Sequence, residues 1–151
     1  MFEFNNPGKL IDGDLELILI HKYPGNHAIG HVPTYQFRMT HVGQNTEIGH
    51  INLRIGTTDH IVMYAGHVGY GVHPEYRGRR YAARACRLLL PLARSHGLKT
   101  LWITCNPENL ASRRTCELAG AELVEIVELP PGNEMYRRGE RKKCRYRIDL
   151  E

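Results

Sequence analysis

Between Gly66 and Ala83 the chain reads GHVGYGVHPEYRGRRYAA, and this stretch holds the residue types best suited to chemistry. An alternating segment ends at Val72, a turn containing Pro74 follows, and an Arg/Gly-rich corner opens directly into a helical pattern. Such a corner aims several backbone N–H groups and the positive end of a helix dipole at one spot, which suits a phosphate group. The expectation is a pyrophosphate cradle at the start of a helix.

The elements that must position this corner follow from periodicity. Leu15 to Ile20, Tyr35 to His41 and Glu47 to Ile55 read as strands, and adjacency makes them an antiparallel meander. Lys22 to Thr34 carries Pro24, Gly25, Gly30 and Pro33 and reads as a loop. A fourth strand is expected over Val62 to Val72, with Val62, Tyr64, Val68, Tyr70 and Val72 on one face. Its other face is nearly bare at Gly69 and Gly71, beside His67. Glycines there imply that something comes close to the backbone; a bulge or a packed helix is the alternative.

From Arg79 or Arg80 to His96 the apolar spacing is helical; Pro91 should bend this helix near Arg87, and Gly97 should end it. Thr100 to Cys105 reads as a buried strand, reached by a right-handed crossover and parallel to the fourth. A second helix starts at Asn106 to Asn109, with Asn109 as cap and Ser112 in its first turn, and ends at Gly120. Glu122 to Leu129 and Lys142 to Leu150 read as closing strands around the polar loop Pro130 to Arg141. The fold class is α+β (mixed α/β), with a mostly antiparallel sheet of about seven strands and two main helices.

The 151 residues are 42% hydrophobic, enough for one domain with a core, expected to span 1–151. The net charge of +4 arises from arginines clustered over Arg77 to Arg94 and Arg137 to Arg147. Clustering on that scale suits a polyphosphate ligand or a modest nucleic-acid patch, and an aromatic-studded nucleic-acid motif is lacking, so no nucleic-acid partner is expected. Cys86, Cys105, Cys116 and Cys144 form no C-x-x-C pair, which argues against a disulfide framework or zinc site and for a reducing compartment. The nine histidines are dispersed and no metal is expected. No segment approaches the ~18 consecutive apolar residues of a membrane span, nor does the N-terminus resemble a leader, so the expected location is cytoplasmic with no membrane partner.

The succession GYGVHPEYRGRRYA, a long helix, LKTLWITCNPEN and ASRRTCELAGAEL resembles the GCN5-related N-acetyltransferases, especially the branch that acetylates protein N-termini. The likeness runs from about Gly66 to Val127. It implies acetyl-CoA as co-substrate and direct transfer to an amine in a ternary complex, the acceptor being a small-molecule amine or a protein N-terminus. It leaves room for a homodimer. The family signature Gln/Arg-x-x-Gly-x-Gly/Ala, whose amides hold the coenzyme A pyrophosphate, falls on Arg77, Gly78, Arg79, Arg80, Tyr81 and Ala82, with Arg80 in place of the middle glycine. If Arg80 has negative φ the cradle survives; if the corner requires positive φ, Arg80 is strained.

The same resemblance implies that the pantetheine arm pairs with the fourth strand at Tyr70, Gly71 and Val72, where a backbone N–H can polarise the thioester carbonyl. Asn109 and Ser112 fall on the family's Asn-x-x-Ala/Ser element, which meets the pantetheine; helix capping is the other role open to them. Where the family places a catalytic Glu, His67 stands close by, and a side chain of pKa near ~6.5 suits general base work. Glu47 and Tyr64 are weaker candidates. Cys116 occupies the position of the family's proton-donating Tyr. Helices that the family has between its first two strands are cut here to at most a turn within Lys22 to Thr34. The Pro130 to Arg141 loop, with Tyr136, Arg137 and Arg138, would wall the acceptor cleft, its charge either attracting an acidic acceptor or simply solvated. The departures from the family pattern keep open a second role, a non-catalytic acyl-CoA-binding or sensing module.

Overall fold

The structure, a computed structural model, describes residues 2–151. Among the described residues, eight strands form two sheets. The larger runs in chain order through β1 (Leu10–Asp12), β2 (Leu15–Tyr23), β3 (Thr34–His41), β4 (Glu47–Arg54) and β5 (Val68–Val72), every pair antiparallel. The smaller holds β6 (Thr100–Cys105), β7 (Glu122–Glu128) and β8 (Lys142–Asp149) in the order β6-β8-β7. The helices are α1 (Tyr81–Leu88), α2 (Leu90–Ser95), α3 (Leu110–Leu118) and the short α4 (Glu134–Arg137).

Alternation builds the core of the larger sheet. Along β3, Tyr35, Phe37 and Met39 are buried while the residues between them are half-buried, and Ile51 and Leu53 of β4 lie beside them. Against this face α1 lays Tyr81, Ala85 and Cys86, and the small side chains of the last two allow close approach. Arg84 on the outer side ties α1 to the first hairpin through Asp12 at 2.9 Å and Asp14 at 2.8 Å. The helical segment breaks at Leu89, where α1 ends and α2 begins with Pro91 in its first turn. Proline has no N–H for the bond that would continue α1, which accounts for the break.

Two expectations about the sheet need correction. The strand expected over Val62 to Val72 exists only from Val68, because Ile61–Ala65 winds into a π-type turn closed by Gly66 N–H donating to the Ile61 carbonyl at 2.7 Å. Gly66 then takes φ 75°, a left-handed value that interrupts any period-two run. A Cβ on Gly66 would lie 3.0 Å from the Trp102 carbonyl, so this corner also needs glycine for its approach to β6. Second, β5 and β6 do not pair into one sheet of seven strands. They touch at His67 and Trp102 and belong to separate sheets.

The segment between β2 and β3 holds a single turn, His27–Ile29, capped by Asn26. The Pro130 to Arg141 stretch contains α4, capped by Asn133. No helix among the described residues is long and apolar enough to cross a membrane.

Candidate functional site

His67 sets the geometry of the centre. Its backbone N–H donates to the Trp102 carbonyl at 2.7 Å, and its ring Nδ1 accepts from the Trp102 N–H at 2.9 Å. Because Nδ1 accepts, Nε2 carries the proton and donates to the Gly56 carbonyl at 2.9 Å. The ring is buried, and burial, with Arg54 nearby, holds its pKa below the ordinary value. This corrects the expectation of a general base: neither nitrogen has a free lone pair. His67 instead clamps β5 to β6 at one end, and beyond the clamp the strands separate, leaving the outer edge of β5 open.

Two cavities of about 600 Å³ each flank that edge. One is walled by Tyr70, Gly71 and Val72 of β5, the corner Arg77, Gly78 and Arg80, the start of α1 at Tyr81 and Ala82, and one side of α3. The other is walled by β4 and β5, the turn after β2 (Gly30, His31, Val32), His60 and Ile61, β6 and α4. Tyr70, Asn109 and Ser112 line both, so the cavities meet there. Glu134, Met135 and Arg138 place the Pro130 to Arg141 stretch in the wall of the second cavity; Arg137 and Tyr136 are not in it.

On the first side, Gly78 has φ 81° and Arg80 φ 64°, followed by an α1 N-terminus that no side chain caps. The first-turn N–H groups of such a helix are free of intrahelical partners and attract anions. Arg77, Arg80 and Arg114 line this cavity and no carboxylate does. Arg79, expected in the cradle, is exposed and is not in the lining. On α3, Asn109 Oδ1 accepts from the Ser112 N–H at 3.1 Å, so Asn109 is a helix cap and a cavity residue at once.

A model of the acetyltransferase (GNAT) domain matches residues 15–122. The chain belongs to the GNAT family.

Among solved structures, a GNAT acetyltransferase from Bacillus anthracis is 25% identical with a TM-score of 0.58, over 76% of this chain and 66% of that one. A GNAT-family protein from Chromobacterium violaceum is 14% identical with a TM-score of 0.69, over 98% of this chain and 89% of its own. The YncA acetyltransferase structure from Salmonella typhimurium, solved with its cofactor acetyl-CoA, is 15% identical with a TM-score of 0.57, over 78% and 65%. The chain thus spans just under two thirds of the Bacillus and Salmonella proteins. No curated protein sequence matches it.

Against the GNAT signature, Arg80 is informative: it is the one non-glycine residue with positive φ among the described residues. The corner holds Arg80 at φ 64°, in the left-handed region that favours glycine, at a strain of roughly 1–2 kcal/mol. Arg80→Gly is therefore expected to stabilise the fold by about 0.5–1 kcal/mol, the gain being reduced by glycine's greater freedom in the unfolded chain. It should weaken binding of a phosphate-bearing ligand by removing the guanidinium. Thermal melts with and without coenzyme A check both signs.

Cys116, the counterpart of the GNAT proton-donating Tyr, is fully buried and lines neither cavity. Its contact with the Cys105 sulfur, together with burial, drives its pKa far up. It is a core thiol, which corrects the donor expectation. Glu47 bonds His73 at 2.8 Å and faces Arg38 at 3.6 Å outside both cavities, and Tyr64 also lies outside them. Tyr70 brings a phenol to the junction, its pKa pushed up to about 12 by burial against the opposing effect of the Ser112 and Thr115 hydroxyls, so it stays neutral.

The bare face of β5 also has a different occupant from the one expected. A Cβ on Gly69 would meet Arg54 Nη2 at 2.8 Å, and one on Gly71 would meet the His50 ring at 2.6 Å. The glycines make room for side chains of β4, not for the pantetheine to which the resemblance assigned this face. Sequence reasoning missed Arg54, His31 and His60. A signal for Arg54 was present: His50, Asn52 and Arg54 form the polar stripe of β4, opposite the bare glycines of the next strand.

Proposed function

We propose that this GNAT protein transfers an acetyl group from acetyl-CoA to an amine directly, in a ternary complex, in a cytoplasmic setting that suits its four free, buried cysteines. The observation that carries this reading is the meeting of two cavities at Tyr70, Asn109 and Ser112 along the open edge of β5. One cavity is cationic and framed by a helix start, as coenzyme pyrophosphate requires; the other is open to an acceptor. Pantetheine pairs with the edge of β5 through Tyr70 to Val72, and its thioester lies at the junction. The amine must lose a proton as it attacks, and His31, His60 and Glu134 are the titratable groups of the acceptor cavity suited to receive it, directly or through water. Tyr70, held as a phenol, is a hydrogen-bond donor for the departing thiolate. The acceptor is a small-molecule amine or a protein N-terminus.

Acetyl-CoA at ~100 times its dissociation constant is expected to stabilise the fold by ~2.7 kcal/mol, read as a rise in melting temperature. No rise with acetyl-CoA or any other acyl-CoA would exclude this reading. A second reading, a non-catalytic acyl-CoA-binding module, is favoured by one observation: both residues first suited to proton transfer, His67 and Cys116, are sealed into the core. It predicts the same rise without thiol release across an amine and peptide panel.

A further inference from the structure

We propose that the acceptor is a carboxylate-bearing amine and that Arg54 receives its carboxylate in the cavity opposite the coenzyme. The proposal rests on the acetyl-transfer reading above and names the acceptor's chemistry. Arg54 ends β4 and points across Gly69 into the cavity. Its Nη1 donates to the Ala65 carbonyl at 3.2 Å and the Gly66 carbonyl at 3.0 Å, both neutral acceptors. Those two bonds aim the guanidinium and leave Nη2 over the floor of the cavity, where Gly69 leaves room for it.

Charge around the cavity isolates Arg54 further. Arg138 and Lys143 also line the wall, but both face Glu140, at 3.7 Å and 2.6 Å. Among the described residues Arg54 is in no ion pair. Glu134 is the one carboxylate in the wall, against the three basic side chains of Arg54, Arg138 and Lys143. A guanidinium withdrawn from water without a counter-charge is costly, and the fall in its pKa through burial reports that cost. A planar carboxylate offers the forked partner that the remaining N–H groups fit. Two sources supply this chemistry, the α-carboxylate of a free amino acid and an acidic side chain near a peptide's N-terminus.

The test measures acetyl transfer to matched pairs, free amino acids against their amides and short peptide amides carrying Glu or Asp in the first two positions against Gln or Asn. The acid of a pair is expected to react with a kcat/KM about 10- to 100-fold higher, from one charge-assisted contact of the usual strength. The panel in which the preference occurs identifies the source. Arg54→Gln should erase the preference, mainly through KM. Should Arg54→Gln fail to fold, Gly69→Ala serves instead, because its methyl displaces Nη2 while keeping the charge; it should also shrink the preference. Equal use of acid and amide by the wild type, or a preference unchanged in both variants, overturns the proposal.

A binding arm keeps the outcome separate from that of the enzyme reading. Glutarate is added to the protein with coenzyme A present, and the Arg54 Nε–H signal is followed by NMR, assigned by its absence in Arg54→Gln. A saturable shift supports the carboxylate site even when no amine turns over; no shift, with coenzyme A bound, overturns it. Loss of coenzyme binding itself would instead strike the acetyl-transfer reading.

Discussion

Replacing His67 with alanine is expected to destabilise the protein by about 4 kcal/mol, since it leaves two buried backbone groups without partners and opens a cavity. The groups are the Trp102 N–H and the Gly56 carbonyl, bonded by the two ring nitrogens at 2.9 Å each. For a chain of this size the melting temperature should fall by roughly 8–16 °C. A general base on the surface of a cleft would behave differently, costing turnover and little stability, so urea titration separates the two roles. The same residue sets a pH dependence. His67 is held below its ordinary pKa on folding, so the unfolded chain takes up the proton first as pH falls. Its contribution is therefore complete above about pH 6.5 and is lost as pH falls from there toward the depressed folded value. Wild-type stability should decline across that window, and His67→Gln should flatten the slope, with a remainder from His96, which burial also lowers.

Gly49→Ala is expected to cost about 3 kcal/mol or somewhat more, at the upper end of overpacking penalties. Gly49 pairs with Val72 across β4 and β5, and a Cβ there would fall 2.1 Å from the Gly71 carbonyl and 2.9 Å from Val72 Cα. Those are backbone atoms that no rotamer change can move. Relief requires β5 to shift, and β5 is the strand whose outer edge faces, at Tyr70 to Val72, the arginine-lined cavity proposed for the coenzyme. The variant should therefore lose coenzyme affinity together with stability, while Gly43→Ala, at a turn with open space around it, has no steric neighbour and should cost only the strain of its φ of 74°. Melts with and without acetyl-CoA measure both effects.

What was legible in the chain was whatever depends on near neighbours. Tyr35, Phe37 and Met39 alternate because a strand with one buried face must, and Gly78 and Arg80 mark a corner because the following residues start a helix. Asn109 capping α3 through Ser112 is a contact three residues long, readable by spacing alone. The corner proposed to hold the coenzyme was accessible for the same reason: it is one contiguous stretch joined to one strand edge.

The second cavity and the surroundings of His67 and Cys116 escaped because they are assembled from distant segments. His67 looked like a base until Trp102, 35 residues away, and Gly56 claimed its two nitrogens. Cys116 looked like a donor until Cys105 and the core closed over it. Val62 to Ala65 alternated like a strand, yet Arg145, 83 residues on, holds the Val62 carbonyl in a helical turn. By itself the sequence determined an Arg/Gly corner at a helix start in an α+β fold, because local backbone geometry is written in local residue types. Tertiary structure alone decided that β5 and β6 part beyond a buried histidine clamp and that Arg54 lies over Gly69 with no ion-pair partner among the described residues, because solvation and hydrogen-bond saturation depend on which remote groups fold against a side chain.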